Sequence, residues 1–162
     1  MLSEVAAGLL VIWSVTKNPV FHLFHSPGNV GPLILRLVLA GIFFYHGSQK
    51  AFGLFGGLGW QETIESWNTS LGLPFVLGSS VILLELIVCL LLFLGFLTRL
   101  AGLAVVVIMT GALVVLGRST MVFSDLELPL LVWSVGLAIL CLGGGALSVD
   151  RGISKNLLPI VG

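Results

Sequence analysis

Six polar side chains stand out against an otherwise apolar sequence. Arg36, His46, Gln49 and Lys50 share one run, Glu85 sits in a second, and Arg99 lies just beyond it. Their types fit proton-coupled chemistry on a small polar headgroup. A histidine can donate a hydrogen bond to a carbonyl, a carboxyl group can supply a proton, and a guanidinium or ammonium can stabilise an anion developing on oxygen. A quinone headgroup is a ligand that would use all three. On that reading His46 and Glu85 are the candidate catalytic pair. Arg36, His46, Gln49, Lys50, Glu85 and Arg99 are the candidate residues around the bound headgroup. The same set fits a plainer role, a buried ion pair that pins two helices together, and the sequence leaves both open.

A membrane bundle must position these groups. The chain has 162 residues, 57% hydrophobic and only 9% charged, with mean hydropathy +1.18. A soluble domain carries about 25% charged residues, so this chain has too few charges to cover a water-facing surface. It reads as an integral membrane protein. Seven basic and seven acidic residues give zero net charge, which argues against nucleic acid as a partner. An ionisable side chain at the centre of a membrane helix costs roughly 2.5–3.5 kcal/mol on insertion scales. The six must therefore face partners or the interfaces.

A spanning helix needs about 20 apolar residues. Four stretches qualify or nearly so: 32–52, 74–97, 100–116 and 126–142. Gly53, Gly56, Gly57 and Gly59 end the first, and Pro74 opens the second, where a first helical turn accepts proline. Only a short turn ending in Thr98 and Arg99 separates the second and third, which predicts a tight antiparallel hairpin. Gly143, Gly144 and Gly145 close the fourth. The expected fold is an all-α integral membrane four-helix bundle over 31–152, with a cytoplasmic tail at 153–162.

Residues 1–30 form a separate segment. The apolar run 5–15 is too short to span, and no basic region precedes it as in a secretory signal. It reads as a short interfacial or re-entrant helix, anchored at headgroup depth by Trp13, Phe21 and Phe24. His22 and His25 lack further ligands nearby, and Cys89 and Cys141 form no CxxC pair, so no metal site is expected. Lys17, Arg36, Arg99, Arg151 and Lys155, five of the seven bases, fall on the side of the termini. The positive-inside rule then puts both termini in the cytoplasm. It makes 53–73, with Trp60 and Trp67, an external cap on the bundle.

At 100° per residue, Arg36, His46 and Lys50 fall within a sector of about 80°. One stripe of the first helix is therefore polar and should face the bundle interior. His46 lies about 5 Å from the midpoint along the axis. Glu85 sits at the middle of the second span and needs a cation. His46 is nearest in depth, Arg36 could reach inward, Arg99 less easily, and Lys50 and Gln49 can snorkel to the near interface.

The run through Arg36, Gly41, His46, Gly47, Gln49, Lys50, Phe52 and Gly53 resembles the first helix of the DoxX family. Glu85 mid-helix, Gly95, Thr98 and Arg99, Met109, Glu127 and the closing Gly143, Gly144, Gly145, Ser148, Asp150 and Arg151 follow in the family's order. The resemblance covers about 31–152. It implies a four-helix bundle in a bacterial inner (plasma) membrane and a link to redox chemistry. DoxX-like proteins include the membrane subunit of a thiosulfate:quinone oxidoreductase and a membrane partner in an oxidative-stress complex. Family members often carry a histidine late in the third helix, where this chain reads from Val114 to Arg118, and residues 1–30 have no counterpart. The expectation is a subunit of a quinone-linked system, with quinone as its cofactor, working with other membrane or soluble subunits and able to oligomerise. The alternative is a non-catalytic accessory or assembly subunit of a larger complex. Solute transport fits less well, since matching broken helices are missing from the pattern.

Overall fold

The computed structural model describes residues 28–119 and 123–157; the segment 1–27, with Trp13, His22 and His25, lies outside the described residues. The elements in order are α1 (Val30–Phe52), a 3-10 turn (Leu54–Gly56), α2 (Trp60–Leu71), α3 (Phe75–Leu94), α4 (Thr98–Ser119), α5 (Phe123–Leu142) and α6 (Val149–Leu157). The described residues are all helix and loop. Four of the helices, α1, α3, α4 and α5, are long and apolar enough to cross a membrane. The 23 residues of α1 extend about 34 Å, against a hydrocarbon layer of about 30 Å. Their outer faces carry Ile34, Val38, Ile87, Leu90, Phe93, Val107 and Leu131, all exposed, as lipid contact requires. The chain is a multi-pass membrane protein.

Glycine in the left-handed region ends the first spans. Gly53 (φ 68°) closes α1 with its N–H on the carbonyls of Gln49 and Ser48. Gly95 (φ 68°) closes α3 on Leu91 and Leu92. A side chain is strained at such φ values, and the cap satisfies carbonyls that the helix leaves open.

The four spans pack as two pairs. α4 and α5 make the most extensive contact, followed by α1 and α3, while α3 meets α4 and α5 meets α1 more sparsely. Glycine explains the tightest pair. A Cβ at Gly102 would lie 2.8 Å from the Leu140 nitrogen, and one at Gly136 would lie 2.6 Å from Val105 Cγ1. Close backbone approach is the usual route to helix association in lipid. The short turn between α3 and α4 does not make them the tight hairpin that the sequence predicts. α3 packs mainly on α1, and α4 on α5. Leu39, Phe43, Val88, Leu92, Val105, Val132 and Ile139 fill the core between the pairs.

Two shorter helices are additions to the expected plan. α2 lies within the cap region. Trp60, Thr63, Ile64 and Trp67 recur at helical spacing, with Thr63 and Ile64 buried and Glu62 and Glu65 exposed. It lies against α3, where a Cβ on Gly78 would sit 3.5 Å from the Trp67 ring and 3.6 Å from Ile64. α6 crosses the boundary read between the bundle, 31–152, and the tail, 153–162. Ser148 precedes it, and its hydroxyl accepts the Arg151 N–H at 3.2 Å, an N-cap bond.

Candidate functional site

The polar stripe of α1 splits into two clusters about 21 Å apart along the helix. Arg36, only 2% exposed, belongs to the first. Its Nη1 donates to the carbonyls of Leu92 and Phe93, each at 3.0 Å. Its Nη2 donates to Leu147 at 2.7 Å and Ala146 at 3.4 Å. The first two carbonyls end α3, where a helix leaves acceptors open and a cation is favoured. Arg99 does the same for α5, with Nη1 at 2.7 Å from the carbonyls of both Leu140 and Cys141. Asp150, 1% exposed, completes the cluster from the other side. Its carboxylate accepts the backbone N–H of Leu97 and Thr98 at 2.8 Å each, and the Thr98 hydroxyl at 2.6 Å. It thereby caps the start of α4, and the Asp150 N–H returns to the Gly95 carbonyl at 3.1 Å. Gly95 has no room for a Cβ beside the Arg36 guanidinium, and a Cβ on Gly144 would lie 2.8 Å from Thr98 Oγ1. The Ser148, Asp150 and Arg151 sequence after α5 is thus part of a lock joining the ends of α1, α3 and α4.

The second cluster surrounds a cavity of about 290 Å³ between the two helix pairs. Ile42, Phe43, His46 and Lys50 of α1 and Glu85 of α3 form one wall. Met109, Ala112, Leu116, Leu128, Pro129 and Val132 of α4 and α5 form the other. All the ionisable groups lie on the first wall, and the second is apolar. Lys50 Nζ and Glu85 Oε1 form an ion pair at 2.5 Å, with the two side chains 27% and 4% exposed. The Trp67 ring of α2 stands 5.4 Å from the same Nζ, within cation–π range. Glu85 Oε2 is buried without a hydrogen-bond partner among the described residues. His46 is half-buried, with its ring edge-on to Tyr45 at 5.3 Å.

Of the residues proposed from sequence, His46, Lys50 and Glu85 come together at the cavity. Arg36 and Arg99 do not, because helix-terminal carbonyls at the opposite end hold them. Gln49 is also elsewhere: its Nε2 donates to the Phe55 carbonyl at 3.4 Å. Gly53 and Gly59 both place their N–H on the Gln49 carbonyl, at 3.2 and 3.1 Å, so this residue holds the turn that folds over α1.

Depth matching favours His46 for Glu85, yet the carboxylate meets Lys50, one turn further on. Helical side chains lean toward their own N-terminus. On α1 that direction runs from Lys50 into the bundle. On the antiparallel α3 it runs from Glu85 toward Lys50, so the two side chains close the gap from both sides. In sequence Trp67 reads only as part of the external cap, because α2 looks like loop, and its place over Lys50 is added by the fold. On the apolar wall, sequence singles out only Met109, through the family's order, and Pro129 inside α5, which cannot donate to the residue four back.

Cys89 is buried in the core and Cys141 is exposed, both as free thiols. Among the described residues, no group of three or more His, Cys, Asp or Glu side chains is placed to hold a metal ion.

Fold and site together define a four-span membrane protein with an ion-paired cavity between two helix pairs. The chain belongs to the DoxX family, whose model matches residues 31–118. That stretch includes His46, Lys50 and Glu85, and it ends before the α5 wall and Asp150. A Bacillus subtilis (strain 168) protein described as "Putative oxidoreductase CatD" is 28% identical over 128 residues, covering 79% of this chain and 90% of that protein. No solved structure matches.

Proposed function

We propose that the chain is a membrane subunit of a quinone-linked redox system and that the cavity between the helix pairs takes the quinone headgroup. The carrying observation is the division of the cavity: ionisable groups on the α1–α3 wall, apolar side chains on the α4–α5 wall. A planar ring with oxygens at its edge and an apolar face fits such a slot, and small-ligand sites are commonly apolar with a few convergent polar groups. The relative's description as an oxidoreductase supports a redox setting.

In this reading a bound quinone accepts two electrons from a partner redox protein and takes up two protons to become a quinol. The Lys50 ammonium stands where it can stabilise charge on a reduced oxygen. The Lys50–Glu85 pair holds one transferable proton between Nζ and Oε1, and His46 relays the second through its two ring nitrogens. The test is binding of a short-chain quinone to the purified protein in nanodiscs, wild type against His46→Ala. Saturable binding, weakened about tenfold or more in the variant, is expected. Absence of binding to the wild type overturns the proposal and leaves the accessory-subunit reading.

The same reading puts the chain in a bacterial inner (plasma) membrane with both termini cytoplasmic. Its support is the gathering of Arg36, Arg99, Arg151 and Lys155 at the end where α1 begins. A single cysteine at exposed Ser66 should then react with an impermeant maleimide from outside the cell, and one at Lys155 should not. The reverse pattern inverts the orientation.

A further inference from the structure

The Glu85 carboxylate has more acceptor capacity than the protein uses. Oε1 takes the Lys50 ammonium, while Oε2 is buried and without a partner among the described residues, on a side chain only 4% exposed that lines the cavity. Leaving a buried acceptor unmade is costly, and more so when the group is charged. Among the described residues the α4–α5 wall offers no side-chain donor: its cavity residues are Met109, Ala112, Leu116, Leu128, Pro129 and Val132. A ligand seated there must bring its own donor to satisfy Oε2.

That requirement separates the two forms of a quinone. The oxidised ring presents only carbonyl acceptors, which would face Oε2 with lone pair against lone pair. The reduced ring presents two hydroxyl donors. We infer that the cavity is selective for the reduced form, a quinol whose hydroxyl donates to Glu85 Oε2 while its apolar face lies on the α4–α5 wall. The inference rests on the quinone-headgroup reading and adds a redox preference to it. Tighter binding of the reduced form raises the potential of the bound couple, by about 30 mV for each tenfold preference in a two-electron couple. A bound quinone is then easier to reduce than a free one, the direction that reduction by a partner protein needs.

The experiment measures anaerobic binding of three probes to the full chain in nanodiscs: a short-chain quinol, the matching quinone, and the quinol dimethyl ether. The quinol should bind at least tenfold more tightly than the quinone, and the ether, which lacks both donors, should lose that advantage. In Glu85→Gln the amide replaces the second acceptor with a donor, so the preference should vanish or invert toward the quinone. Equal or weaker binding of the quinol than of the quinone overturns the selectivity and leaves the quinone site standing. No binding of any probe to wild type overturns both. Equal binding of quinol and ether overturns the hydroxyl contact even if Glu85→Gln does not fold, and a preference retained in a folded Glu85→Gln overturns the assignment to Glu85.

Discussion

Arg36 and Asp150 at one end of the bundle, and Lys50 and Glu85 about 21 Å along α1, are both buried charge, arranged differently. The Arg36 fork makes four hydrogen bonds to helix-terminal and loop carbonyls, and the Asp150 carboxylate receives three. Gly95 and Gly144 leave no space around them for even a methyl group. Arg36 Nε does lack a partner among the described residues, but Arg36 does not line the cavity. Glu85 Oε2 lacks a partner among the described residues too, and its side chain lines a cavity of about 290 Å³. An unmade bond alone therefore does not mark a site. What separates the clusters is unused polar capacity beside room for a ligand, and by that criterion the first is a lock and the second a pocket.

The largest expected effect comes from breaking the lock. Asp150→Ala strands the N–H groups of Leu97 and Thr98 and the Thr98 hydroxyl, and it leaves the buried Arg36 without its nearby carboxylate. Removing one member of such a network costs about 3–5 kcal/mol. Thermal or denaturant unfolding in detergent should show that loss. A change below about 1 kcal/mol would mean that the cluster does not hold the helices together, and the comparison would collapse.

Glu85→Gln should behave differently. It conserves volume, and Lys50, at 27% side-chain exposure, can shift its ammonium toward the interface as long cationic side chains do. The expected stability loss is about 1 kcal/mol, the scale of a partly exposed pair. A loss as large as that of Asp150→Ala would make Lys50–Glu85 a second pin and favour the accessory-subunit reading.

The sequence carried the spans and the polar stripe well, because apolar length and helical phase are local properties. Arg36, His46 and Lys50 share a face in the sequence and in the bundle. It could not sort that stripe by role. Arg36 is held by carbonyls of Leu92, Phe93, Ala146 and Leu147, and backbone acceptors leave no mark in residue identity. Asp150 could be recognised only through the family's closing pattern, since its partners are backbone N–H groups of α4. The Lys50–Glu85 contact required side-chain direction as well as backbone depth. α2 was hidden by its glycine-rich approach, although Trp60, Thr63, Ile64 and Trp67 keep helical spacing. The preference of α3 for α1 over α4 depended on which faces allow close approach, as at Gly47, where a Cβ would lie 3.1 Å from Leu86 Cδ2.

The smallest expected effect tests whether the pocket has a supporting shell outside the membrane spans. Trp67 reaches Lys50 from α2, with 5.4 Å between Nζ and the ring centre, a contact worth about 0.5–1 kcal/mol at partly exposed sites. It also packs beside Gly78, so a simple truncation would mix lost packing with lost electrostatics. Trp67→Phe and Trp67→Leu separate the two, because both keep an apolar side chain and only the first keeps an aromatic face. Both variants should unfold within about 1 kcal/mol of wild type if the ring acts mainly on Lys50. Ligand affinity should fall in the order wild type, Trp67→Phe, Trp67→Leu, by a few-fold in all, as the ammonium loses the second of its two supports, Glu85 and the ring. Equal affinity across the three would confine the pocket to the spans and leave α2 a cover. A stability loss that tracks side-chain size instead would assign Trp67 to packing.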